Sequence, residues 1–316
     1  MPFFRRSRVD QSSKNSEDLE RSLLKSGEET REALEAGRLP PSALSRLVAQ
    51  STEKDNSFTS DFSVNEFLLM KRNGLSPITQ VLGACVYRVG YYQFPGYGRG
   101  TIKALEDAHN NARSLAFSRM LKEAKAVNAD VVAGVRFIEN SLELSGDSLS
   151  YSIIGTAMKA PEMREILASS RGNLFPILTT LSGQELAKLL TGGFIPLGVV
   201  AHTSVLFTAL SFSTLQAMRY IYNGGGNFEV PEFTQCYYDS KRDVMGRVSE
   251  HARVLGASGI VGADLKIRSR GYTISQMGGE NPDSAIYTAE MVATAIGEVE
   301  ERGELEKARV VVNMNS

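Results

Sequence analysis

Asn128-Ala129-Asp130-Val131-Val132-Ala133-Gly134-Val135-Arg136-Phe137 decides the fold, because this short β-branched run follows a long helical pattern with no loop between them. Upstream, Ile102, Leu105, Ala108, Ala112, Leu115, Ala116, Met120, Ala124 and Val127 keep three-and-four spacing, which predicts a helix over Thr101 to Val127 with one apolar face. Leu82-Gly83-Ala84-Cys85-Val86-Tyr87 before it has strand length. After it, a turn at Ser145-Gly146-Asp147-Ser148 leads into a further strand, Tyr151 to Met158. Ahead of all these, Ser63-Val64-Asn65-Glu66 is a Ser-x-x-Glu capping box, and its helix runs out at Asn73-Gly74-Leu75-Ser76-Pro77. The order is helix, strand, long helix, strand, strand.

That order recurs. Ser182-Gly183-Gln184-Glu185 repeats the capping box, and Gly192-Gly193-Phe194-Ile195-Pro196 repeats the stop. Leu197 to His202 then stands over Leu82 to Tyr87, which sets His202 opposite Tyr87. Val244, Val248, Ala252 and Leu255 stand over Ala116, Met120, Ala124 and Val127, which sets His251 opposite Glu123. Ala257 to Leu265 and Met291 to Ile296 supply the last two strands. The expected fold class is therefore α+β: two tandem copies of a small sheet packed on a long helix, with a helical N-terminal arm. The expected boundaries are residues 1–62 for a charged arm, 63–160 and 182–298 for the domains, and 299–316 for a tail. Each copy is long enough for its own core. Residues 161–181 form a linker too apolar to stay solvated, so it should pack on the domains. Within the arm, Ser16 to Gly37 and Ser42 to Gln50 read as helices separated at Gly37-Arg38-Leu39-Pro40-Pro41.

Composition narrows the function classes. The chain has 316 residues, 42% of them hydrophobic and 22% charged, and its 35 basic and 36 acidic side chains leave a net charge of -1. No global field draws it to nucleic acid, which is not expected as a partner. Two cysteines, Cys85 and Cys236, exclude a disulfide framework and suit a reducing cytosol. The basic Met1 to Arg8 is followed by mostly polar residues rather than an apolar signal core, so a cytoplasmic location is expected. Leu189 to Met218 carries no charge and is long enough to cross a bilayer, but Gly192, Gly193, the turn chemistry of Pro196-Leu197-Gly198 and polar His202 argue against a span.

The long helix ending in Met-Leu-Lys-Glu-Ala, the run Asn128 to Phe137 and Gly155-Thr156-Ala157 resemble the YbjQ-like family, which also carries a heavy-metal-binding label. The second copy departs from the pattern, with Ala293-Thr294-Ala295 in place of Gly-Thr-Ala and insertions around Asn223 to Asn227 and Gly278-Gly279. The resemblance implies a dodecin-reminiscent sheet on a long helix and closed rings built from neighbouring copies, and it implies no established reaction. A sheet of about three strands has open edges that must be paired, covered or charged, and pairing between subunits is one solution.

Chemistry-bearing residues are sparse. A soft-metal or zinc site needs convergent Cys and His, and no Cys-x-x-Cys or spaced His pair occurs among His109, His202 and His251, so neither a metal nor a cofactor is expected. No Gly-x-Ser-x-Gly elbow marks a nucleophile. Gly96-Tyr97-Gly98-Arg99-Gly100 suggests an anion-binding helix start, but it lacks the P-loop lysine, and a sharp connection explains it equally well. Tyr87, Tyr91, Tyr92, Phe94 and Tyr97 gather near Arg88 and Arg99, either as a stacking site, as a subunit contact, or as a local core. Arg113 stands beside the helix core as an intersubunit ion-pair partner or a solvated charge. The sequence thus points to a non-enzymatic, self-assembling protein whose partner is itself, with a protein partner for the charged arm as a further option. A small-ligand or metal-binding protein with sites between copies is the alternative.

Overall fold

Gly37 ends the first helix in a left-handed cap, with φ 66°, and the Arg38 amide turns back to the Ala33 carbonyl at 2.7 Å. The structure, a computed structural model, describes residues 6–52, 58–95, 98–138, 148–171, 175–222, 226–273 and 283–299. The chain divides into two units, Met1–Ser57 and Phe58–Ser316. The first holds α1 (Arg6–Glu35) and α2 (Pro41–Thr52), separated where glycine and two prolines interrupt the helical pattern.

The second unit runs α3 (Val64–Arg72), β1 (Ser76–Arg88), β2 (Arg99–Thr101), α4 (Lys103–Ala126), β3 (Val131–Ile138), β4 (Ser148–Lys159), α5 (Pro161–Arg171), β5 (Ile177–Leu178), α6 (Gly183–Thr191), β6 (Phe194–Ala209), α7 (Phe212–Tyr222), α8 (Pro231–Val254), β7 (Gly259–Tyr272) and β8 (Ser284–Glu298). Both capping boxes form. Ser63 and Ser182 accept from the Glu66 and Glu185 amides at 3.3 and 3.4 Å, and each glutamate accepts from its serine's amide at 2.8 Å.

Helices and two sheets make an α+β fold. The first sheet has the order β1-β4-β3-β5 and the second β2-β6-β8-β7. All pairs are antiparallel except β3 with β5. Ala112, Ala116, Met120 and Ala124 of α4 pack on Val81, Ile153 and Ala157 of the first sheet. Val244, Val248 and Ala252 of α8 pack on Val200, Ala289 and Ala293 of the second. A third cluster joins the halves: Met70, Val131 and Met158 pack with Leu181, Leu186 and Ile195.

The two halves share irregularities as well as order. β1 bulges between Pro77 and Thr79, β6 between Pro196 and Gly198, β3 between Ala133 and Arg136, and β7 between Val261 and Asp264. Gly134 and Gly262, at the last two bulges, have φ of 65° and 60°. The register corrects one expected correspondence. Thr156 and Thr294 lie opposite Gln80 and Val199, so Leu82 corresponds to Ala201, and His202 stands where the first half has Gly83 rather than Tyr87.

Further corrections concern loops and lengths. The uncharged stretch Leu189 to Met218 forms the end of α6, β6 and the start of α7, and among the described residues no helix is long and apolar enough to cross a membrane. Pro196-Leu197-Gly198 is a bulge inside β6 rather than a turn. Arg99 and Gly100, read as part of a helix-start loop, are strand β2 on the edge of β6. Between α5 and α6, the Ile177 and Thr179 amides donate to the Asp130 and Val132 carbonyls at 3.1 and 2.9 Å, extending the first sheet.

Candidate functional site

α4 is enclosed on two sides. One face lies on the first sheet, and Asn110 and Arg113 on another reach the second. Arg113 is buried and donates to Thr203 Oγ1, to Asn110 Oδ1 and, at 3.1 Å, to Glu290 Oε1. It is an ion-pair partner inside one chain, which corrects both the intersubunit and the solvated readings. Asn110 also donates to the Thr203 carbonyl at 2.9 Å and accepts from the Thr203 amide at 3.0 Å, so its carboxamide stands in for a neighbouring strand on the edge of β6. Glu106 continues the substitution by accepting from the Val205 amide at 3.3 Å, and β2 takes over from Leu206.

Beside Arg113, His109 Nδ1 and the Tyr151 hydroxyl are 2.8 Å apart. Burial, with the Arg113 charge adding to it, brings the His109 imidazole down to about 4, and burial pushes the Tyr151 phenol up. Both are neutral at pH 7. Sequence reading missed this seam. The available signal was Asn110 and Arg113, three residues apart beside an apolar stripe, where charged residues are rarely tolerated without partners.

An open cleft of about 570 Å³ lies next to the seam, lined by Lys103, Asp107 and Ser114 of α4, Ala201 and His202 of β6, and His251 of α8. The His202 and His251 rings meet edge to face at 5.9 Å. Burial lowers His202 to about 4, and its Nε2 is buried without a hydrogen bond. Among the described residues no group of three or more His, Cys, Asp or Glu side chains is placed to hold a metal ion. Cys85 and Cys236 are both buried, and burial raises both thiols, which leaves them poor nucleophiles.

The aromatic candidates do not form one site. Tyr92 and Phe94 come together with Phe207 and Tyr272 of the second sheet, Phe94 lying 5.3 and 5.4 Å from those two rings. Tyr87 packs instead into the core under α4, while Tyr91 and Arg88 are exposed. Tyr97 lies outside the described residues. Arg99 forms an ion pair with Asp239 of α8, so its charge is already matched.

Thr156 and Thr294 occupy matching positions with matching partners. Thr156 Oγ1 donates to Asp61 Oδ1 at 2.7 Å, and Thr294 Oγ1 pairs with Thr180 Oγ1 at 2.7 Å. Each hydroxyl fastens the segment that leads into a capping-box helix. These two residues anchor the chain rather than carry chemistry.

A family model described as "Putative heavy-metal-binding" (YbjQ_1) matches residues 81–161, so this region carries a YbjQ-like domain. Among curated proteins, the Encapsulin nanocompartment protein Rv1762c of Mycobacterium tuberculosis (strain ATCC 25618 / H37Rv) is 33% identical over 242 residues, covering 76% of this chain and 88% of that protein. No solved structure matches the chain.

Proposed function

We propose that this chain, which belongs to the family of the mycobacterial encapsulin nanocompartment protein, is a non-enzymatic, self-assembling scaffold of the cytoplasm. On this reading its two halves are diverged copies of one YbjQ-like domain, arranged in a homo-oligomeric ring. The relative's name supports a place in or on a protein compartment, and the arm of residues 1–57 is available to recruit another protein there.

The observation that carries the reading is an asymmetry of cover. The outward face of the second sheet, with Thr203, Val205 and Phe207, is buried beneath the first half. The corresponding face of the first sheet leaves Leu82 and Val86 exposed. Apolar side chains standing together on a sheet face mark an interaction surface. A chain with one roofed and one bare sheet is incomplete alone.

The test is the mass of the purified, metal-stripped protein in solution by light scattering at several concentrations. A closed oligomer whose mass does not change with concentration is expected, and a monomer of 34.5 kDa overturns the reading. A second reading, a small-ligand or metal-binding protein with its site between the halves, is favoured by the cleft beside His202. A monomer that assembles only when zinc is added would put that reading first.

A further inference from the structure

Resting on the self-assembly reading, we infer that the outward side of α8 and the free edge of β7 dock head to tail onto the bare face of the first half of a second copy of this chain. The chain already contains this interface once. Within it, α4 covers the outward face of the second sheet, and the edge of β3 receives the segment that leads into α6 through the β5 pairing. Val131, Val132 and Val135 on that edge are buried.

Moving each partner on to its counterpart in the other half predicts the second interface. α8 takes the place of α4, and the edge of β7 takes the place of β3. Phe58 to Phe62 takes the place of Ile177 to Leu181. Among the described residues β7 ends its sheet with no strand beyond it, and Gly262 and Ala263, the counterparts of Gly134 and Val135, are exposed.

The exposed residues fall where this transformation needs them. On the receiving side, Val64, Leu68, Leu82 and Val86 are 74%, 51%, 43% and 58% exposed. Of their counterparts in the second half, Gly183, Ala187 and Val205 are buried and Ala201 is half-buried. Gly183 is closed in by the first half itself, a Cβ there standing 3.3 Å from Glu66 and Met70. On the docking side, Tyr238 and Met245 of α8 are 68% and 41% exposed, at the positions that Asn110 and Phe117 occupy on α4. One end of the molecule therefore shows an apolar surface whose twin is covered, and the other end shows the helix whose twin does the covering.

Such an interface is heterologous: the two surfaces differ, each copy uses both, and repetition gives a ring if the rotation closes. An isologous contact of bare sheet on bare sheet would bury the same leucine and valine and leave α8 in solvent.

Two variants separate these cases, Val86→Glu on the receiving side and Met245→Glu on the docking side. Both positions are exposed, so both chains should keep the wild-type circular dichroism spectrum and melt cooperatively, at a temperature lowered only by the loss of assembly. Val86→Ser and Tyr238→Ser serve as a milder pair if either glutamate changes the spectrum. Light scattering should give 34.5 kDa for each variant alone. An equal mixture should give one species of twice that mass and nothing larger, because only one intact pair of surfaces remains. A Met245→Glu variant that assembles like the wild type overturns the inference while leaving self-assembly intact. A mixture that stays monomeric overturns it as well. A wild-type monomer would instead remove the reading on which it rests.

Discussion

α4 and α8 are helices of the same length, 24 residues each, lying on corresponding sheets, yet they live in different surroundings. α4 carries Glu106, Arg113 and Glu123 buried, and every one of them meets a polar partner from a strand. At the position of Arg113, α8 carries Lys241, which is exposed. The difference lies in where the partners come from: Glu106 and Arg113 reach β6 and β8 of the second sheet and Glu123 reaches β1 of the first, whereas the buried Asp239 of α8 is matched by Arg99 of β2 and by Arg242 on its own helix. Charge is tolerated inside where a partner is supplied, and the cluster around Arg113 is a record of the second sheet.

The largest expected effect comes from removing that record. Arg113→Met leaves the Glu290 carboxylate and the Asn110 and Thr203 side chains facing an apolar stem, and breaking such a buried pair costs about 3–5 kcal/mol. Lys241→Met should stay within about 0.5 kcal/mol, as exposed substitutions do. Urea unfolding reads both, in a Met245→Glu background so that assembly makes no contribution. Equal midpoints for the two variants would mean that the halves are not knit through α4.

Acid sharpens the same contrast. His109 sits in the α4 seam with its folded value lowered to about 4 from an ordinary 6.5, so the folded protein resists a proton that the unfolded chain accepts. Stability is full above pH 6.5 and falls as the pH drops toward 4, because the unfolded state binds more protons across that window. At 1.36 kcal/mol per pH unit, His109 alone accounts for a loss of about 3 kcal/mol. His202, also lowered to about 4, adds a slope of the same sign. His109→Gln keeps a hydrogen-bonding group beside Tyr151 and should flatten the stability curve between pH 6.5 and 4. An unchanged slope would show that His109 is protonated in the fold.

Much of the fold was legible because its signals are local. The two capping boxes, the apolar stripe of α4 and the runs that became β3 and β4 each need only a few neighbouring residues to declare themselves. What was not legible depends on partners distant in sequence. His202-Thr203-Ser204 looks too polar for the middle of a strand, and it belongs there because Asn110 and Arg113 cross from the other half to satisfy Thr203. Lys266, Arg268 and Arg270 hid the alternation of β7, whose Leu265 and Ile267 pack beneath α8. The first-strand correspondence slipped because an apolar run can be slid along another without penalty, whereas the bulges at Pro77 and Pro196 fix it. Of the candidate residues, Arg113 was the one that led to the seam, and its partners could not be read from spacing. The aromatic group was dispersed for the same reason: Phe94 finds its neighbours on β6 and β7, while Tyr87 turns into the core of the first half.

The smallest expected effect tests how tightly each helix sits. Gly83 of β1 faces α4, and a Cβ there would collide with the Ala116 carbonyl oxygen and stand 2.9 Å from the Met120 amide nitrogen. Both contacts are helix backbone, so no side chain can turn away, and the helix itself must move. α4 is held from its other side by the second sheet and has little room to retreat. Gly83→Ala should therefore cost about 1–3 kcal/mol, the range for overfilling a packed interior. At the corresponding position β6 carries His202, and α8 leaves space for a whole imidazole edge-on to His251. Since the buried His202 Nε2 has no hydrogen bond, His202→Ala removes an unsatisfied polar atom along with some packing. Its cost should stay below about 1 kcal/mol. Thermal melts of the two variants in the Met245→Glu background give the comparison directly. A tolerated Gly83→Ala would mean that α4 has the same slack as α8, and the contrast between an enclosed and a one-sided helix would have to rest on the polar seam alone.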